Sequence, residues 1–88
     1  MLLAWHAHAW EDYLYWRERD RKIAVRINEL LRDALRHPFE GLGKPEALRN
    51  QLKGQWSRRI TQEHRLIYKV EGEGDRQILI VLQCRFHY

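Results

Sequence analysis

The sequence predicts one α+β domain: two N-terminal helices packed on one face of a twisted, mostly antiparallel sheet of four to five strands. Three observations predict it. The first half carries two stretches with apolar residues at helical spacing. The second half carries runs that alternate with period two between polar, glycine-bearing turns. The chain of 88 residues is long enough for one core and no more, so residues 1–88 form a single domain.

The elements follow in order. "MLLAW" is a short apolar run and reads as a first strand. From about Ala9 to Arg19, Trp10, Tyr13, Leu14 and the stem of Arg17 recur at helical spacing. Asp20 can then cap a second helix, because its carboxylate accepts the free amide hydrogens of a first turn. That helix, about Arg21 to His37, has an apolar stripe of Ile23, Ile27, Leu30, Leu31 and Ala34 and an opposite face of Lys22, Arg26, Glu29, Arg32, Asp33 and Arg36. Pro38 stops it. "FEGLGKPEALRN" reads as a loop with a brief helical turn, in which Pro45 takes the first helical position and Glu46 sits at the N-terminal end.

Strands follow. "QWSRRIT" sets Trp56, Arg58 and Ile60 against Ser57, Arg59 and Thr61. "QEH" is a tight connection to "RLIYKV", where Leu66, Tyr68 and Val70 oppose Arg65, Ile67 and Lys69. "EGEGDR" is a hairpin loop leading to a last strand from Ile78 to about Phe86. Ile78, Ile80, Leu82, Cys84 and Phe86 form its continuous apolar face and are the expected core side. Leu79, Val81, Gln83, Arg85 and His87 form the other face, which turns polar towards the end. With strands paired in order, Arg59, Arg65 and Lys69 share that exposed face with Arg85 and His87, and the helices cover the opposite one.

Composition narrows the class. The chain is 44% hydrophobic and has four Trp, four Tyr and two Phe, which suits a packed core rather than disorder. Trp10, Tyr13 and Trp16 read as core or dimer contacts. The net charge is +4, and it is concentrated. Between Lys44 and Lys69 stand Lys44, Arg49, Lys53, Arg58, Arg59, Arg65 and Lys69 against only Glu46 and Glu63. Such a local field suits a polyanion such as nucleic acid, and it equally suits a solubilising surface. The lone Cys84 excludes an internal disulfide and falls on an apolar face, as a small buried hydrophobe does. His6 and His8 lack neighbouring Cys or carboxylate ligands, so neither a metal nor a cofactor is expected. With no signal peptide and no apolar run of about 20 residues, a reducing cytoplasm and no membrane contact are expected.

Metal-free RNA cleavage needs a base for the 2′-hydroxyl proton, cations for the charge building on phosphate, and an acid for the departing 5′-oxygen. Glu46, Arg59, Arg65 and His87 are residues of suitable type. Taken alone they leave other readings open: Glu46 as a helix-terminal carboxylate, the arginines as solvated strand residues, His87 and Tyr88 as an ordered tail.

"AWEDYLYW", "INELLRDALRHPFEGLGKPEAL", "WSRRITQEHRLIYKV" and the terminal "CRFHY" cover most of the chain in order. In these stretches the sequence resembles the YoeB toxins of the RelE/ParE-like superfamily, the toxin half of bacterial toxin–antitoxin pairs with a microbial ribonuclease-like fold. The resemblance implies a ribosome-dependent endoribonuclease that cuts translated mRNA in the decoding site without a metal. Position by position it implies Glu46 as general base, Arg65 as the phosphate-stabilising arginine, Arg59 as its support, His87 as general acid and Tyr88 as a substrate-positioning residue. Lys44, Arg49 and Arg85 are expected as further substrate-binding cations. A YefM-like antitoxin, the 70S ribosome with its mRNA, and a second copy of the chain are the implied partners. The "HAHA" at residues 6–9, Phe86 and the "EGEGDRQ" turn depart from the family pattern without touching the matched positions. Two rival readings fit the same sequence: a ParE-like toxin that binds gyrase, and a catalytically silent relative that only binds an antitoxin.

Overall fold

The computed structural model describes residues 1–86; His87 and Tyr88 lie outside the described residues. In chain order the elements are β1 (Leu2–Trp5), α1 (Ala7–Arg19), α2 (Arg21–Arg36), β2 (Glu46–Ala47), β3 (Trp56–Arg59), β4 (Arg65–Glu71) and β5 (Ile78–Gln83), with short 3-10 turns at Asn50–Leu52 and Gly74–Arg76. The strands form one five-stranded sheet in the order β1-β5-β4-β3-β2. β1 runs parallel to β5, and the other pairs are antiparallel. Both helices pack their buried side chains against one face, where Leu66, Tyr68, Leu79 and Val81 meet Ala9, Trp16, Ile27, Leu30 and Ala34.

The helix boundaries follow local chemistry. Asp20 adopts an extended backbone (φ −149°), its N–H closes α1 on Trp16 O, and its carboxylate accepts from Ile23 N–H at 3.4 Å to open α2. The buried stripe of α2 is Ala24, Ile27, Leu30, Leu31 and Ala34. In α1 the buried positions are Ala9, Asp12 and Trp16 rather than the expected Trp10 and Tyr13 line. Trp10 and Tyr13 instead gather with Trp5 at the sheet edge, with ring centroids 5.1–5.8 Å apart.

Two further expectations are corrected. Glu46 does not open a helical turn. It pairs with Ser57, Ala47 pairs with Trp56, and Leu48 N–H donates to Gln55 O at 2.9 Å. The edge of β3 offers these backbone groups partners that a single helical turn cannot match. The face of β5 is also inverted. Leu79 and Val81 are fully buried against the helices, and Ile78, Ile80 and Leu82 lie on the other side, half-buried. The register explains why. Tyr68 pairs with Val81 and Ile67 with Gln83, so Leu82 is an extra residue in β5. A bulge of this kind shifts the alternation by one, which returns Cys84 to the buried side.

The connection from α2 to β2 is held by one buried cation. Arg58 is fully buried, and all five of its N–H donors are used. Nε donates to Tyr68 Oη at 2.9 Å; Nη1 to Asp33 Oδ2 at 2.6 Å and Leu42 O at 3.0 Å; Nη2 to His37 O at 2.5 Å and Glu40 O at 2.9 Å. Asp33 Oδ2 also accepts from Leu42 N–H, and Tyr68 Oη donates to Pro38 O at 2.6 Å. Gly43 follows at φ 81°, where a Cβ would stand 2.6 Å from Leu30 Cδ2, and its carbonyl accepts from Arg59 N–H at 2.7 Å. The segment is thereby pressed against β3 and delivers Glu46 in register.

Replacing Arg58 with Met leaves these acceptors without a donor and should cost about 3–5 kcal/mol of stability in chemical denaturation, the range for breaking a buried pair. An unchanged midpoint would contradict the network's role. The same network sets an acid limb. The Arg58 hydrogen bond, then that of Leu42 N–H, holds the Asp33 carboxyl below its ordinary value of 3.8. A depressed carboxylate stabilises the fold fully above the unfolded value and loses that contribution as pH falls towards the folded one. Melting temperature should therefore drop below about pH 4, and Asp33→Asn should flatten that limb while lowering stability at neutral pH.

Candidate active site

The sheet face opposite the helices carries Glu46, Arg59 and Arg65. Pairing defines two rungs across it. Glu46, Ser57, Ile67 and Gln83 form one; Arg59 and Arg65 form the next. Arg58, Leu66 and Tyr68 point to the core, so their alternates Ser57, Arg59, Arg65, Ile67 and Lys69 share the open face, as the sequence predicts. Ser57 and Ile67 are buried at 4% and 3% exposure and floor this surface. Glu46 and Arg59 stand exposed above it, and Arg65 is half-buried.

Glu46 and Arg65 are separated by two strand spacings and two residues along the strand, about 12 Å between backbones for ordinary sheet geometry. A Glu and an Arg side chain can close that span around one phosphodiester. The Arg65 guanidinium is steered by the β3–β4 turn: Nη1 donates to Thr61 O at 2.7 Å and to Gln62 O and His64 O at 3.1 Å. Its Nε and Nη2 have no hydrogen-bond partner among the described residues, which leaves donors for a phosphate oxygen. An open groove of ≈ 640 Å³ is lined by Arg26, Arg59, Ile60, Thr61, Gln62 and Arg65. Among the described residues no carboxylate lines it, so three guanidinium groups share one concavity. Arg26 comes from α2, with Nη2 3.4 Å from Arg59 O. The sequence reading treats it as one charge on a solvated helix face; only tertiary packing sets it beside Arg59.

Lys44 and Arg49 flank β2 and are exposed, Lys44 at φ 53°. Neither they nor Glu46 make an ion pair with a described residue. Arg85 is placed differently from expectation. Its guanidinium lies 3.6 Å from the Tyr15 ring centroid, with Arg19 at 4.3 Å from the same ring. It therefore turns to α1 and borders the cleft of His8, Glu11, Asp12 and Glu18 instead of the open face. β5 ends at Gln83, so strand alternation no longer sets the direction of Arg85.

The end of β5 is bolted to α1. Trp16 Nε1 donates to Cys84 O at 2.8 Å, and Cys84 N–H donates to Asp12 Oδ2 at 3.1 Å. Burial, with the Asp12 charge, pushes the Cys84 thiol up to about 12, so it stays protonated and inert, as the sequence predicts. Beyond it the chain returns to β4, where Arg65 N–H donates to Phe86 O at 3.0 Å. The sequence-predicted His87 and Tyr88 lie outside the described residues. Among the described residues no group of three His, Cys, Asp or Glu is placed to hold a metal ion, and no helix is long and apolar enough to cross a membrane.

Comparison with known proteins agrees with this architecture. Residues 5–88 match the family model for the YoeB-like toxin of bacterial type II toxin–antitoxin systems. The chain is 52% identical over 88 residues to toxin YoeB of Escherichia coli K12, covering 100% of both chains. Among solved structures it matches the YoeB/ParE toxin from Agrobacterium tumefaciens at 52% identity and a TM-score of 0.96, covering 100% of both. It also matches two Staphylococcus aureus structures. One is a YoeB dimer, at 39% identity and a TM-score of 0.88, covering 100% of this chain and 98% of that one. The other is a YoeB–YefM complex, at 40% identity and a TM-score of 0.86, covering 100% and 99%. A full-length match at this identity makes the chain a member of the YoeB toxin family of type II toxin–antitoxin systems.

Proposed function

We propose that this toxin is a ribosome-dependent mRNA endoribonuclease working by metal-independent acid–base chemistry. The observation that supports it most is the shared open face of the sheet: a carboxylate on β2 with no ion-pair partner among the described residues, and two strands away, on the next rung, a guanidinium on β4 with donors that no described residue takes. In this reading Glu46 takes the proton of a 2′-hydroxyl, and the freed oxygen attacks the adjacent phosphorus. Arg65, supported by Arg59, neutralises the charge building on the phosphate oxygens. His87 protonates the departing 5′-oxygen, the bond to it breaks, and a cyclic phosphate and a 5′-hydroxyl remain. Tyr88 positions the nucleotide, and Lys44 and Arg49 contact the flanking phosphates.

The openness of the face supports the ribosome's part. Glu46 and Arg59 are exposed, and no described residue closes over them. Enzymes of this kind draw much of their rate from alignment and exclusion of water. An exposed half-site gains both when a second surface presents the message, and the decoding site is that surface in this proposal. The cytoplasm is the corresponding location. A YefM-like antitoxin with an acidic segment is the partner for the groove of Arg26, Arg59 and Arg65, where its carboxylates would meet the guanidinium groups. A second copy of the chain is the partner for the exposed Leu2, Leu3 and Trp10 beside the edge strand β1.

His87→Gln should cut cleavage of ribosome-bound message at least about a hundredfold with little change in thermal melt, as loss of an acid–base group does. Glu46→Gln should do the same, because Glu46 is exposed and holds nothing in place. Full cleavage by either variant removes that residue from the mechanism. Inhibition of gyrase supercoiling without message cleavage would instead favour the ParE-like reading. Cleavage should also weaken steeply with added salt, because phosphate contacts release counterions.

A further inference from the structure

The imidazole of His64 joins the two chain segments that carry candidate catalytic groups. Its Nδ1 accepts the Phe86 N–H at 2.7 Å, and the Phe86 carbonyl accepts the Arg65 N–H at 3.0 Å. Its ring stands edge-on to Trp16 at 4.7 Å and tilted against Phe86 at 5.7 Å. The His64 backbone is itself fixed. Its N–H donates to Thr61 Oγ1 at 3.1 Å, and its carbonyl accepts from Ile60 N–H at 3.0 Å and from Arg65 Nη1 at 3.1 Å. One residue therefore steers the Arg65 guanidinium with its carbonyl and the backbone before His87 with its ring.

Phe86 needs such a hold. It has φ 65°, a left-handed conformation that a bulky residue rarely adopts and that persists only where the surroundings over-determine it. Its amide and carbonyl are taken by the consecutive residues His64 and Arg65. Phe86 is also 58% exposed, so water could serve its N–H and stability alone does not call for a protein acceptor. What the imidazole adds is direction. An acceptor at Nδ1 requires that nitrogen to be unprotonated, which sets the neutral tautomer with its proton on Nε2.

We propose that His64 is a positioning residue: its Nδ1 fixes the turn at Phe86 and so sets the direction in which the chain continues towards His87, relative to Arg65. What is positioned rests on the nuclease reading above; the clamp itself does not. The sequence assigns His64 no role, since it sits in a turn.

The test compares wild type with three variants of the full chain. Asn carries an amide oxygen close to the Nδ1 position. Phe keeps the ring contacts with Trp16 and loses the acceptor. Gln places its polar group towards the Nε2 position and serves as a second protein without the acceptor. Amide hydrogen exchange at Phe86, thermal melts and cleavage of ribosome-bound message are measured on each. His64→Phe and His64→Gln should exchange the Phe86 amide at least about tenfold faster, as a local opening does. Their kcat should fall by about ten- to a hundredfold with KM nearly unchanged, the signature of a misplaced group. His64→Asn should recover most of both. Wild-type exchange at Phe86 in the Phe and Gln variants would overturn the proposal, as would equal kcat losses in Asn, Phe and Gln. A wild type that does not cleave message would instead overturn the nuclease reading, and the exchange comparison would still decide the clamp.

Discussion

The buried guanidinium of Arg58 is the constraint on which the rest of the molecule depends. A cation removed from water is costly unless every donor is matched, and here each is. The matching partners are mostly backbone carbonyls of residues 37–42, a stretch with no regular structure of its own. The charge therefore organises a loop more than it cements a core. With that loop fixed, Gly43 meets β3 and Glu46 enters the sheet at its edge. The adjacent residue, Arg59, faces the other way along the same strand. Two neighbouring arginines thus divide the work: one is spent inside on architecture, and one stays outside with the open face.

The two ends of the candidate site are held by different means. The Glu46 end hangs from the Arg58 network through a two-residue strand. The C-terminal end is fastened by α1, through Trp16 and Asp12 on Cys84, and by the β3–β4 turn on Phe86. Between them the Arg65 guanidinium is leashed by turn carbonyls with donors to spare. Each fastening uses polar groups at the margin of the apolar core, so geometry at the open face is set without burying the face itself. An 88-residue chain has one core to give, and the helices take it.

The open face has a thermodynamic consequence. Arg26, Arg59 and Arg65 repel one another, and among the described residues no carboxylate lines their groove. A polyanion relieves that repulsion, and under the proposed function message and an acidic antitoxin segment would compete for the same charges. The aromatic edge of half-buried Trp5 and Tyr13 and exposed Trp10 is an independent surface on the far side of the sheet order, next to β1. Association there would leave the groove uncovered.

Hydrophobic spacing and terminators were enough to determine both helices, the cap at Asp20, the strands β1, β3, β4 and β5, and the shared face of Arg59, Arg65 and Lys69. These are local properties, written in periods of 3.6 and 2. The resemblance carried by "PFEGLGKPEAL" and "SRRITQEHRLIY" added the family, which composition and spacing leave open. Tertiary structure decided what depends on partners distant in the chain. Glu46 became a strand because β3 offered its backbone a ladder. A bulge at Leu82 set Leu79 and Val81 on the same side as Cys84, and the end of β5 at Gln83 left Arg85 to turn to Tyr15. Arg58, indistinguishable from Arg59 as a letter, was buried because Asp33, Tyr68 and the loop carbonyls converge on it. Side-chain alternation is a rule of the single strand, but which face is inside, and which charge can afford to be there, is settled only by what packs against it.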